Sequence, residues 1–384
     1  MRFGPVGKAV ALATAMIGIT IGALFGPHAA SPAAAATDWL TTRAYFNDPR
    51  AKGAASNVTR NLITHHFDGA TRGSIAQVTT WELTDTAISN AMIRALRRGV
   101  TVRVILANRN CAAPAAKQLR RAIRSHAGSF VRCISGSARS AGGTMHQKSY
   151  TFSAVGSVKH ITIVGSANAT VEGYADQWVD MFQHVNRPDV YAAYNDVFAL
   201  QQADANLPRP YRQFTFDTGH AQFNPVNDST PTAADDPVHR RLTALPKGQG
   251  TVIRVASFGI RGKRGNWLAR DLIAHKRAGS TVIVLTGPPA SDAIERRLRS
   301  AGINVTRAFD RNCATGKKSS CNYSHLKLMT ASFLRSGTRH YRVWTGSDNW
   351  SPNSLNSDDV AHRIDGEATY RQYVPFIDTI RRVY

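Results

Sequence analysis

Carboxylates are scarce in this chain of 384 residues. Asp and Glu total 25 against 48 Lys and Arg, which gives a formal charge of +23. Such a surplus favours anionic partners, whether nucleic acid, acidic lipid headgroups or other phosphate-rich material, and does not choose among them. Long apolar runs are also lacking beyond the first 25 residues, so no later segment is expected to span a bilayer. Cysteine is limited to four residues with no Cys-x-x-Cys pair, which argues against a zinc site. The absence of any long biased tract excludes collagen-like, coiled-coil and disordered classes. What remains is an ordinary globular composition, 43% hydrophobic, with length enough for two to three domains of ~150 residues.

The first 36 residues read as a secretory signal peptide. Arg2 and Lys8 precede an uncharged apolar run at 9–25, and small residues follow, ending in four alanines at 33–36. A membrane anchor would carry a basic stop where those small residues stand. Removing Arg2 and Lys8 lowers the charge to +21 and places it outside the cell. In that compartment four cysteines suggest two disulfides. Three pairings are open, and the repeat described next favours the local ones, Cys111–Cys133 and Cys313–Cys321.

The chain repeats itself. AMIRALRRGVTVRVIL at 91–106 faces RDLIAHKRAGSTVIVL at 270–285, each an amphipathic helix, a Gly and a β-branched strand. MHQKSYTFS at 145–153 faces SHLKLMTAS at 324–332, GSAN at 165–168 faces GSDN at 346–349, and DMFQHV at 180–185 faces DVAHRI at 359–364. Gly99 and Gly279 are 180 residues apart and the next three pairs are offset by 179, 181 and 179, which implies two copies of one αβ unit. The expected fold is α/β, two repeated units with mixed, largely parallel sheets. The units fall at 37–203, with a lead-in through Phe46-Asn47-Asp48-Pro49, and at 249–384. A linker rich in Asp, Pro, Thr and Gln joins them at 204–248.

The chemistry lies in paired motifs. His146-Gln147-Lys148 and His325-Leu326-Lys327 alternate as strands do, so each His and Lys share a face. Each is followed by Gly-Ser-x-Asn, at Gly165, Ser166, Asn168 and at Gly346, Ser347, Asn349. One such set is a weak signal; two at equivalent positions are a strong one. In these motifs the sequence resembles the phospholipase D superfamily, from about Ala44 to the C-terminus. The resemblance implies two units packed about a pseudo-two-fold axis with both motifs on one phosphate. It also implies a phosphoric diester hydrolase: Lys148, Lys327, Asn168 and Asn349 hold the phosphate oxygens, His146 attacks phosphorus and His325 serves as acid and base. The lysines supply the positive charge, so no metal or other cofactor is expected. Asp180 and Asp359, each 34 residues after its own motif His, are expected to orient the imidazoles, with Asp358 a competitor for Asp359.

Two departures stand out. The family motif H-x-K-x4-D has Ser153 and Ser332 at its Asp positions, and the stretch from each His to its Gly is longer than the compact family hairpin. Loss of the Asp does not by itself imply loss of activity, since the tyrosyl-DNA phosphodiesterase branch also works without it. Basic clusters at Arg94/Arg97/Arg98, Lys117/Arg120/Arg121/Arg124 and Arg296/Arg297/Arg299 read as solvated helix faces or as a belt for phosphates. Lys317-Lys318 would form a basic loop tied by the second disulfide. Trp344 and Trp350 read as packing around the second motif. The expected substrate is a phospholipid, met at an anionic membrane surface, with nucleic acid the alternative and a non-catalytic anion-binding module third. The chain is expected to act as a secreted monomer.

Overall fold

The computed structural model describes residues 39–51, 56–227, 230–315 and 321–384, with Met1 and Gly4. The expected signal peptide and the expected Lys317-Lys318 loop lie outside these residues. The first unit runs β1 (Arg43–Asn47), α1 (Val58–Gly69), β2 (Ile75–Thr80), α2 (Thr86–Arg97), β3 (Thr101–Ala107), α3 (Pro114–Ile123), β4 (Phe130–Ile134), β5 (Ser149–Val155), β6 (Val158–Gly165), α4 (Val171–Ala175), β7 (Gln177–His184) and α5 (Pro188–Ala203). Next come β8 (Arg212–Phe216), β9 (Gly219–Phe223) and α6 (Pro237–Ala244). The second unit runs β10 (Val252–Ser257), α7 (Gly262–Arg277), β11 (Thr281–Thr286), α8 (Asp292–Ser300), β12 (Asn304–Arg307), β13 (Tyr323–Ser324), β14 (Lys327–Arg335), β15 (Thr338–Gly346), α9 (Pro352–Asn356), β16 (Val360–Asp365) and α10 (Glu367–Val383).

The repeat is visible in the strand order. One sheet runs β4-β3-β2-β5-β6-β7-β1, and the other β12-β11-β10-β14-β15-β16-β9-β8. In both, the first three strands are parallel and are joined by crossover helices, as α2 joins β2 to β3. Beyond them, hairpins make the pairing antiparallel, so the sheets are mixed rather than mostly parallel. The stretch 204–248 is more than a linker. Its β9 pairs with β16 and its β8 with β9, so it completes the second sheet much as β1 completes the first.

Local sequence accounts for the repeated helix–strand unit. Asp85 caps α2 by accepting from the Ala87 N–H at 2.7 Å. Ile88, Ala91, Met92, Ala95 and Leu96 form its buried face. Gly99, at φ +88°, ends the helix in a conformation open to glycine, and Gly279, at φ +93°, does the same after α7. One core packs the first sheet on α1 and α2, and another packs the second on α6 and α7. A third lies between the units, where Trp178 and Phe182 meet Leu326, Val343, Ile364 and Phe376 of α10. Cys111–Cys133 links the turn after β3 to the end of β4, and Cys313–Cys321 closes a short loop, the local pairings expected from the repeat.

Candidate active site

Each motif histidine is seated on the other unit. The backbone N–H of His146 donates to the carbonyl of Asp358 at 3.0 Å, and that of His325 donates to the carbonyl of Trp178 at 3.0 Å. Met145 bridges Asp358, and Ser324 pairs with Trp178. This exchange brings together His146, Lys148, His325 and Lys327: both lysines lower both imidazoles, His146 lowers that of His325, and Lys148 lowers Lys327. Each lysine reaches back to its own histidine: Lys148 Nζ donates to the His146 carbonyl at 2.6 Å, and Lys327 Nζ to that of His325 at 2.5 Å. Lys148 is fully buried and Lys327 nearly so, while His146 keeps 16% of its side-chain surface open.

The two acids behave differently. Asp359 Oδ1 lies 2.8 Å from His146 Nδ1, so it orients the imidazole of the other unit, not that of its own. Asp180 bonds neither histidine. Its carboxylate accepts from Ser166 Oγ at 2.7 Å, from Tyr373 Oη at 3.0 Å and from Thr345 Oγ1. Register explains the asymmetry. Asp359 is one residue past Asp358, which receives His146, whereas Asp180 is two residues past Trp178, which receives His325. Gly165 pairs with Met181 and Gly346 with Ala361, so the same count holds from the other direction. Val179 is therefore the counterpart of Asp359, and a one-residue offset turns Asp180 to the opposite face. His325 Nδ1 instead meets the Ser166 carbonyl at 3.1 Å. A carbonyl only accepts, so His325 carries its proton on Nδ1 and leaves Nε2 with the lone pair. Asp358, the expected competitor, is committed to Arg139 at 2.6 Å and to Ser137 Oγ at 2.7 Å.

Burial sets the electrostatics. It pushes both imidazoles well below their usual value, with the two lysines adding in the same direction. It lowers Lys148 to about 8, against the pull of Asp359 and Glu82, and it lowers Lys327 further from its ordinary value with help from Lys148. It raises Asp359 to about 7, which Lys148 opposes. Among the described residues no group of three or more His, Cys, Asp or Glu is arranged to hold a metal ion.

The Gly-Ser-x-Asn turns have a packing role and a facing role. A Cβ on Gly165 would stand 2.1 Å from the Asp180 carbonyl, and one on Gly346 would stand 2.1 Å from that of Val360, so both positions must be bare. The Asp180 N–H donates to Ser166 Oγ and the Val360 N–H to Ser347 Oγ, each at 3.0 Å, fastening the turn to the next strand. The side-chain carbonyl oxygens of Asn168 and Asn349 are buried without a partner among the described residues. Trp344 and Trp350 are buried in the second core, as packing predicts. Ser153, at the position of the missing motif Asp, accepts from the Ile75 N–H at 2.8 Å. That bond lies at the start of β2, away from the histidines, so the substitution leaves the site itself untouched.

Other residues of the site carried no signal of their own in the sequence. Trp81 stands edge-on to His146 with ring centroids 5.5 Å apart, and Phe258 stands edge-on to His325 at 4.6 Å. They directly follow β2 and β10, so the repeat alignment would have paired them. Arg264, wholly buried, donates to Asp348 at 2.6 Å, to Asp236 at 2.9 Å and to the Asn349 carbonyl at 2.7 Å. It anchors the second turn from below.

Comparison with known proteins agrees with this architecture. Residues 63–201, within the first unit, match the family described as "Cardiolipin synthase, PLD-like domain". A phosphatidylserine synthase from Haemophilus influenzae superposes at TM-score 0.53 with 11% identity, over 88% of this chain and 85% of that one. A polyphosphate kinase from Porphyromonas gingivalis superposes at TM-score 0.53 with 12% identity, over 88% of this chain and 50% of that one. No curated protein sequence matches the chain.

Proposed function

We propose that the chain, which matches a PLD-like domain over 63–201 and shares the fold of a phosphatidylserine synthase, acts as a phospholipase D-superfamily enzyme that cleaves or transfers phosphodiesters through a phosphohistidine, without a metal. One observation carries this: the crossed seating of His146 and His325, which sets two imidazoles and two buried lysines at one point. In the first step His146 Nε2 attacks phosphorus as the bond to the leaving oxygen breaks, and His325, protonated, gives that oxygen its proton. In the second, water or an alcohol loses a proton to His325 and attacks phosphorus, and the P–N bond breaks. Asp359 supports the charge that develops on the His146 ring. Lys148 and Lys327 stabilise the phosphorane oxygens. An arriving phosphodiester offsets the lysine charges and so helps His325 to take up its proton.

We take a phospholipid headgroup ester as the first substrate class. The family match named for cardiolipin synthase supports that choice, as does the export expected from the N-terminal sequence. The carboxylate-poor surface favours a second reading, a secreted nuclease. A panel of phospholipids, DNA, RNA and a small aryl phosphodiester, run in EDTA at neutral pH, tests both. Loss of activity in His146→Ala is expected. Full activity of His146→Ala and His325→Ala, or no turnover of any member by wild type, overturns the mechanism.

A further inference from the structure

Between Asp85 and Glu172 there are 86 residues with 13 Lys and Arg and no carboxylate. Two of those basic residues, Arg139 and Lys148, are buried at the site or behind it. Most of the others collect on the outer face of α2 and α3. Arg97, Lys117, Arg120, Arg121 and Arg124 are exposed there, and none makes an ion pair among the described residues. Arg94 alone is matched, by Asp68 at 2.8 Å.

This face is grooved. A depression of about 690 Å³ is lined by Lys117, Arg120, Arg121, Arg124 and His126. A second, of about 550 Å³, is lined by Asn90, Arg94, Arg97, Gln118 and again Arg121. Arg121 is the ridge between them, and Gln118 Nε2 braces the floor by donating to Asn90 Oδ1 at 3.0 Å.

The molecule contains its own control. The equivalent helices of the second unit, α7 and α8, carry Asp271, Asp292 and Glu295. There Arg307 pairs with Glu295 at 2.6 Å, and Arg299 pairs with Glu295 at 3.4 Å. The two helix pairs thus differ in acid content: α2 and α3 hold no carboxylate, whereas α8 exposes Asp292, which pairs with Arg307, and α7 holds Asp271 half-buried. Solubility would not require that difference.

We propose that the α2–α3 face is a docking surface for nucleic acid, holding phosphates of a long strand in the two arginine-lined grooves. Guanidinium forks match phosphate oxygens two at a time. Position favours a polymer over a bilayer. α2 starts beside the motif turn, where the Asp85 N–H meets the Ala169 carbonyl, and runs away from it for roughly 18 Å. The arginines cluster at its far end. A membrane held there would lie away from the histidines, whereas a strand of a few nucleotides spans the gap. The face also lacks an apolar wedge: among the described residues the exposed large hydrophobic side chains are Met1, Val171 and Leu334, and none belongs to it. The use of this face in turnover rests on the nuclease reading; its binding role does not.

The test measures binding of a labelled 30-nucleotide DNA strand, and of the matching duplex, across a salt series. Arg97→Gln/Arg121→Gln/Arg124→Gln should bind about tenfold more weakly than wild type at 0.1 M salt, with the log–log duplex salt slope reduced by roughly 3. Arg296→Gln/Arg297→Gln, on the equivalent helix, should bind as wild type does. Lys117→Gln/Arg120→Gln gives an independent reading should the triple variant fold poorly, and should also weaken binding. Hydrolysis of the small aryl phosphodiester should be unchanged in all three. Wild-type DNA affinity in both the triple variant and Lys117→Gln/Arg120→Gln overturns the proposal. So does a lost affinity for vesicles containing phosphatidylglycerol with DNA binding intact, or a lower melting temperature with no change in binding, as expected if the arginines only complement helix ends. His325→Ala should still bind DNA; if no substrate is cleaved and this binding holds, the catalytic reading falls and the docking surface stands.

Discussion

At the residue scale, His146 and Asp359 form the pair on which turnover is expected to depend most finely. Ionised, Asp359 keeps the ring proton on Nδ1 and the lone pair on Nε2; an Asn there donates to Nδ1 and reverses the tautomer. Asp359→Asn should therefore cost about 10³–10⁴ in kcat with the fold intact. Because Asp359 titrates near 7, wild-type kcat/KM should fall below that pH, and the same limb should be absent from Asp359→Asn. Pre-steady-state kinetics and melting curves check both statements, and a persisting limb would assign it to another group. His, Lys and Asn were legible because each appears twice at matched positions. The partner of each imidazole was not. Counting 34 residues from either His reaches an Asp, but faces alternate along a strand, and the two copies differ by one residue from seat to acid. Arg264 belongs to no motif or cluster in the sequence; only the fold shows it buried between Asp236 and Asp348.

At the element scale, the repeat made the helix–strand order readable, and composition hid one part. The polar stretch 204–248 holds two five-residue strands, and their two-residue turn, Asp217-Thr218, was overshadowed by the residues around it. The disulfide between β3 and β4 stabilises the end of the sheet nearest Trp81. It closes a loop of 22 residues, so Cys111→Ala/Cys133→Ala should lose about 3 kcal/mol, read by denaturant unfolding. Arg109 lies over Trp81 at 5.1 Å, two residues from Cys111. The double variant should thus raise KM more than a remote destabilising change of the same size; an unchanged KM would confine the bridge to stability.

At the scale of the whole molecule, the site is a local liability that the rest of the fold offsets. A buried Lys148 whose pKa is lowered to about 8 opposes folding while it is charged. The folded chain binds fewer protons than the unfolded one between about 8 and 10.5, so this penalty is full below 8 and fades as pH rises through that window. Lys148→Met should be inactive yet more stable at pH 7, by roughly 1–4 kcal/mol, and its advantage should shrink above pH 8. Thermal melts of both proteins from pH 6 to 10 decide it; equal stability throughout would mean that the charge is already well compensated. Inorganic phosphate should raise the wild-type melting temperature and leave Lys148→Met nearly unmoved. The bare Cα atoms of Gly165 and Gly346 have a further bearing, on descent. Steric demand would hold them in place in any descendant that keeps the two-unit packing, whether or not it still turns over substrate. In a lineage drifting toward silence, His and Lys are free to go first, and Gly-Ser survives as a fossil of the architecture rather than a sign of life.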